Sequence, residues 1–357
     1  MFTLSTIGSA LSGFFCVQIA FGAPIPHKPT STTSSASTHT STSSSDSPTS
    51  TSPSDSTSGS GGISSAPYYV VYSDEASTAA PDPKDIQFWQ GKRLAGEWEK
   101  LSDSKRQSTL QQYEQAGIKI MVSAFGAEDA PTTQGSDPTT LANTLAEWVI
   151  KYGVHGIDVD YEDFDAIGDG SGPGAEWVIT FTKALRQKLP QGQYMLTHAP
   201  VAPWFTKNDG PYLKVHQEVG GLIDWYNVQF YNQGKTVYNT CENLVTKMND
   251  DNPPLLEIVA NGVPIEKLVV GKPAVADDAS DGYISPTELG ECLTQAKQQN
   301  GYNSGAMTWE YHTDGSTLAW IKGVLGSDSS SSSADKEGPT TSERRLAQRK
   351  PVNRLSY

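Results

Sequence analysis

Asp158, Asp160 and Glu162 fall within His155-Gly156-Ile157-Asp158-Val159-Asp160-Tyr161-Glu162-Asp163. Strand side chains alternate with period two, so an extended chain here puts these three carboxyl groups on one face. Ile157, Val159 and Tyr161 then point the other way, into an apolar layer. Enclosed carboxylates repel one another and lose hydration, which pushes at least one toward its neutral form. A neutral acid beside an ionised one is what protonation of a leaving group requires. Two other uses compete: a solvated face of an edge strand, and a carboxylate site for Mg or Ca ions. The apolar alternate face argues for an interior strand, where carboxylates need a function.

The elements that must position this strand alternate along the chain. Tyr68–Tyr72, Ile118–Val122, Tyr194–His198, Ile223–Asn232, Leu268–Pro273 and Ala306–Trp309 read as strands. Helical spacing marks Ser104–Ala116, the stretch from an Asp137 cap and Pro138 to Tyr152, and Trp177–Leu189. Cys241–Met248, Pro286–Gln299 and Thr317–Leu325 read as further helices. Alternating strands and helices predict a parallel sheet with helices outside, a (β/α)8 TIM barrel. Ser123, Glu162, Trp204, Tyr231 and Trp309 sit at or just beyond strand C-termini, the face on which such barrels place their sites. A doubly wound open sheet is the alternative, but no Gly-rich dinucleotide fingerprint follows the first strand. The second strand of the barrel is weak or missing, since Asp85–Leu101 has no β-rich run.

Flanking segments set the domain limits. Residues 1–23 read as a secretory signal peptide, with an apolar run from Ile7 to Phe21 and cleavage expected near Gly22. Residues 24–66 are mostly Ser and Thr with scattered Pro, a disordered linker or O-glycosylated stalk. The barrel is expected over 67–325, and 326–357 form a Ser-rich then basic disordered tail. Cys241 and Cys292 remain after leader removal; one disulfide or two buried thiols are both open. A net charge of −14 argues against nucleic acid or anionic membranes as partners. No Cys/His cluster has zinc-ligand spacing, so no metal is expected.

These motifs resemble a known family. Asp158-Val159-Asp160-Tyr161-Glu162 resembles the DxxDxDxE signature of glycoside hydrolase family 18, the chitinases. Ser123-Ala124-Phe125-Gly126 resembles its third-strand motif, Gln229-Phe230-Tyr231-Asn232 the sixth-strand motif of hevamine-type members, and Trp309 its terminal-strand tryptophan. The resemblance implies a secreted enzyme, acting as a monomer and without cofactor on chitin or another N-acetylglucosamine-containing glycan. It implies substrate-assisted cleavage, with Glu162 as acid and base and Asp160 orienting the substrate acetamide. Asp158 would support Asp160, Tyr231 would bond the acetamide oxygen, and Trp309 would form the sugar's apolar floor. Gln229, Asn232, Ser123, Phe125 and Trp204 would line the site. An endo-β-N-acetylglucosaminidase and a non-catalytic chitin-binding lectin are the other expectations on this barrel.

One departure stands inside the signature. His155 occupies the place of its first Asp. A histidine there is expected to bond Asp158 and alter the pH profile.

Overall fold

The computed structural model describes residues 15–19, 66–73, 94–127, 129–168, 172–208, 210–248, 251–312 and 314–326. Nearly all of the Ser/Thr-rich segment, residues 74–93 and the basic tail lie outside the described residues, as do the remaining parts of the signal-peptide expectation.

Nine strands form one sheet: β1 Phe15–Ile19, β2 Tyr68–Ser73, β3 Ile118–Ile120, β4 Val122–Phe125, β5 Gly156–Asp160, β6 Met195–His198, β7 Trp225–Gln229, β8 Leu268–Pro273 and β9 Gly305–Trp309. Their order is β3-β1-β2-β9-β8-β7-β6-β5-β4. β3 and β4 are halves of one extended segment interrupted at Met121, so the two ends of the order meet and the sheet curls into a barrel-like form. From β2 through β9 to β4 every neighbour is parallel. This is the α/β plan that the strand–helix alternation predicts.

The vacant second-strand position has an unexpected occupant. β1 lies there, antiparallel to β2 on one side and to β3 on the other, with Val17 opposite both Val71 and Ile120. The segment in which a strand was sought, Asp85–Leu101, instead contributes helix α1, Leu94–Lys100. Trp98 of α1 is fully buried and donates its indole N–H to Tyr152 O at 3.1 Å.

Further helices are α2 Asp103–Gln115, α3 Pro138–Tyr152, α4 Phe164–Ile167, α5 Gly174–Lys188, α6 Pro211–Val219, α7 Cys241–Val245, α8 Leu255–Ala260, α9 Pro286–Asn300 and α10 Ser316–Leu325. α3 starts where Asp137 accepts from Thr140 N at 2.8 Å and stops at Gly153, whose φ of 73° suits glycine. α5 buries Trp177, Val178, Phe181 and Leu185 toward the sheet. Gly156 lets β5 reach β6: a Cβ there would stand 2.2 Å from Met195 O. Among the described residues, no helix is long and apolar enough to cross a membrane.

Candidate active site

β5 carries the acidic row, and the alternation holds. Ile157, Val159 and Tyr161 are fully buried against the helical layer. Asp158, Asp160 and Glu162 face the other side, toward the inside of the curled sheet. Asp158 is fully buried and takes four donors: Tyr72 Oη (2.6 Å), Ser123 Oγ (2.8 Å), Asn227 Nδ2 (3.2 Å) and Thr197 Oγ1. Burial still pushes its carboxyl above the usual range, with the four hydrogen bonds pulling back.

Asp160 stands one step nearer the cleft and is held well above the usual carboxylate range. Burial is the main cause, followed by the charges of Glu162 and Asp158. Its carboxyl is in hydrogen-bond contact with Glu162, whose own pKa is raised by burial. Two enclosed carboxyls this close share a proton rather than both ionising. Gln229 Nε2 reaches both, at 3.1 Å from Asp160 Oδ1 and 2.9 Å from Glu162 Oε1.

A cleft of about 500 Å³, including its open mouth, lies over this pair. Asp160, Glu162, Gln229, Tyr231, Asn232 and Trp309 all line it. The Tyr231 phenol stays protonated, because burial and the charges of Asp160 and Glu162 push its pKa well up. Lys272 Nζ braces the turn that carries it, donating to Phe230 O and Tyr238 O at 2.7 Å each. Burial brings the Lys272 pKa down to about 7. Asn232 Oδ1 accepts from Ser280 N at 2.8 Å, tying that turn to the loop after β8.

Three expected residues lie elsewhere. Phe125 has φ 82°, and its ring packs in the core against Tyr161, Trp177 and Phe181, so it adds no surface to the cleft. Ser123 sits behind the cleft as a partner of Asp158. Trp204 is buried outside the cleft, stacked on Tyr212 at 5.6 Å. The expected bond from His155 to Asp158 is absent. His155 precedes β5, at the opposite end of the strand from Glu162. Its Nε2 lies 2.9 Å from Glu114 Oε1 and its Nδ1 meets the Ile120 backbone.

Tyr72, Thr197 and Asn227 were missed. Tyr72 is the last residue but one of β2 and lines the cleft; Asn227 is two residues from Gln229, hence on the same strand face. The strand-end and period-two rules that singled out Tyr231 and Gln229 would have found both. No group of three or more His, Cys, Asp or Glu side chains among the described residues is placed to hold a metal ion.

The family model for glycosyl hydrolases family 18 matches residues 69–336. The chain belongs to that family. Endochitinase 3 of Metarhizium anisopliae is 26% identical over 245 residues, covering 63% of this chain and 74% of that protein. A chitinase of Enterococcus faecalis is 25% identical over 231 residues, covering 60% of this chain and 65% of that protein. A family 18 chitinase structure from Pseudoalteromonas aurantia aligns with 30% identity and a TM-score of 0.53, covering 61% of this chain and 78% of that one. β5 lies within the matched residues, and Glu162 follows two residues after its last residue, Asp160.

Proposed function

We propose that this chain is a secreted chitinase that cleaves β-1,4 bonds between N-acetylglucosamine units with retention of configuration. The observation that carries the reading is the buried Asp160–Glu162 pair, bridged by Gln229, under a cleft walled by Tyr231 and Trp309. Similarity to chitinases of other organisms supports the substrate class. The Cys241–Cys292 disulfide supports an oxidising compartment.

The steps follow from the chemistry of these groups. Glu162 gives its proton to the glycosidic oxygen as the C1–O bond breaks. The carbonyl oxygen of the substrate's own acetamide attacks C1 and forms an oxazolinium ion. Asp160 accepts the acetamide N–H and balances the developing positive charge. The Tyr231 hydroxyl donates to the acetamide oxygen. Trp309 offers an apolar floor to the sugar ring. Glu162, now ionised, takes a proton from the water that attacks C1 as the C1–O bond to the acetamide oxygen breaks; the acetamide is regenerated and the product leaves with its original configuration.

The test compares wild type with Glu162→Gln on a fluorogenic chitooligosaccharide. Activity that falls by about 10²–10⁴-fold in the variant is expected. Chitin binding without cleavage in the wild type would favour a lectin instead. Cleavage of an N-glycan core, with chitooligosaccharides left intact, would favour an endo-β-N-acetylglucosaminidase.

A further inference from the structure

The loop after β8, residues 274–285, carries Asp277, Asp278 and Asp281. Asp277 is exposed, whereas the side chain of Asp278 is only 6% exposed. A carboxylate so enclosed needs donors, and Asp278 finds them on two loops. Its Oδ2 accepts from Val275 N at 3.0 Å, within its own loop, and from Glu310 N at 3.2 Å, just beyond β9. His312 Nε2 stands 2.8 Å from its Oδ1.

Glu310 follows Trp309, so the bond to Glu310 N falls on the peptide group that leaves the tryptophan. The other polar atom of that peptide is held as well: Trp309 O accepts from Ala274 N at 2.6 Å. Both polar atoms of one peptide are therefore bonded to the loop after β8. Trp309 is half-buried and lines the cleft. The direction of its backbone decides where the ring stands.

The same loop also grips the turn that carries Tyr231. Ser280 N and Oγ donate to Asn232 Oδ1 at 2.8 and 3.0 Å. Asp281 Oδ1 accepts from Gln233 N at 2.9 Å and Gly234 N at 3.1 Å. Gly282 has φ 84°, and a Cβ there would lie 2.7 Å from Tyr231 Cα, so the close approach requires glycine. One loop thus spans from the Tyr231 turn to the peptide after Trp309.

We propose that Asp278 is a positioning residue for Trp309: it clasps the peptide after the tryptophan to a loop already fixed to the Tyr231 turn, and so sets where the ring stands relative to Tyr231. The proposal rests on the chitinase reading above. Asp278 is not among the residues that line the cleft, and it acts through the peptide it holds.

The test measures kcat/KM on chitohexaose with the full chain. Wild type is compared with Asp278→Ala, Asp278→Glu, Asp278→Asn and Trp309→Ala, and with each Asp278 variant combined with Trp309→Ala. Thermal unfolding serves as a fold control. Asp278→Ala is expected to lower kcat/KM about 10–100-fold, the scale of a small misplacement at a site. With Trp309 already removed, the same substitution is expected to cost less than about twofold, since a residue that acts through the ring has nothing left to position. Asp278→Asn keeps an acceptor oxygen in place and is expected to retain most of the wild-type rate. Asp278→Glu keeps the charge beside His312 but moves the carboxyl by a methylene. It is expected to behave like alanine, and it answers the question if the alanine variant does not fold. An active wild type, with Asp278→Ala or Asp278→Glu folded and unchanged in rate, overturns the clasp alone. A loss of equal size with and without Trp309, which general loosening of the fold would give, also overturns it. So does an asparagine variant as slow as alanine. A wild type inert on chitohexaose overturns the chitinase reading, and the clasp's role in placing the sugar floor with it.

Discussion

The Tyr72 phenol donates to Asp158 Oδ2 at 2.6 Å, joining the first parallel strand to the acidic one across 86 residues of sequence. Asn227 Nδ2 closes the triangle, 3.1 Å from Tyr72 Oη and 3.2 Å from Asp158 Oδ1. Removing the hydroxyl in Tyr72→Phe leaves a buried carboxyl with one donor fewer, at a cost of about 1–3 kcal/mol. Asp158 then rises further in pKa and Asp160 loses its fixed backing. Steady-state kinetics should show kcat reduced about tenfold or more with KM little changed. A KM effect alone would contradict this role.

The proton on the Asp160–Glu162 pair sets the pH dependence. Both groups are raised, mainly by burial, so the folded protein binds more protons than the unfolded chain above the ordinary carboxylate range. Stability is therefore full at low pH and declines as pH rises through the raised values. Activity that needs a protonated Glu162 declines along the same limb. Asp160→Asn, which removes one ionisable member, should melt higher than wild type at neutral pH. That advantage should shrink as pH is lowered toward 4, in unfolding scans taken across the series.

His155→Asp should leave the pH–rate profile unchanged. The ring pairs with Glu114 and the Ile120 backbone, at the end of β5 remote from the cleft. Burial lowers its pKa, with the Glu114 hydrogen bond opposing. The aspartate would face Glu114 as a like charge, so the expected effect is a lower Tm. A displaced pH optimum would count against this placement.

Cys241 and Cys292 are bonded and close 51 residues of chain, joining α7 to α9. A loop of that length is worth about 4 kcal/mol in the chain-entropy account. The double variant Cys241→Ser/Cys292→Ser should unfold several degrees lower while keeping kcat, since neither cysteine lines the cleft. Wild type in reducing buffer should match it.

The strand–helix alternation and the acidic face were legible because each depends on local periodicity. Asp137, Pro138 and Gly153 bounded α3 from sequence for the same reason. What remained hidden depends on contacts across the fold. Phe125 looked like a site residue from its motif, but its positive φ turns the ring into the core. Asp158 could be named as a support, whereas the meeting of its four donors, from β2, β4, β6 and β7, depends on how those strands are registered across the sheet. His155 was drawn toward Asp158 by its place in the family signature, although a three-residue offset along a strand spans about 10 Å and reverses the face.

On the secreted reading proposed above, export and closure would draw on the same five residues of the antiparallel strand β1. Processing near Gly22 would sever β1 from the chain and leave it held by its hydrogen bonds to β2 and β3 alone. The processed protein would then be a noncovalent complex of a short peptide and a large fragment. Loss of that peptide would uncover two strand edges facing each other across an unfilled width. Such edges recruit strands from other copies, so on that reading processing would be coupled to a tendency to associate.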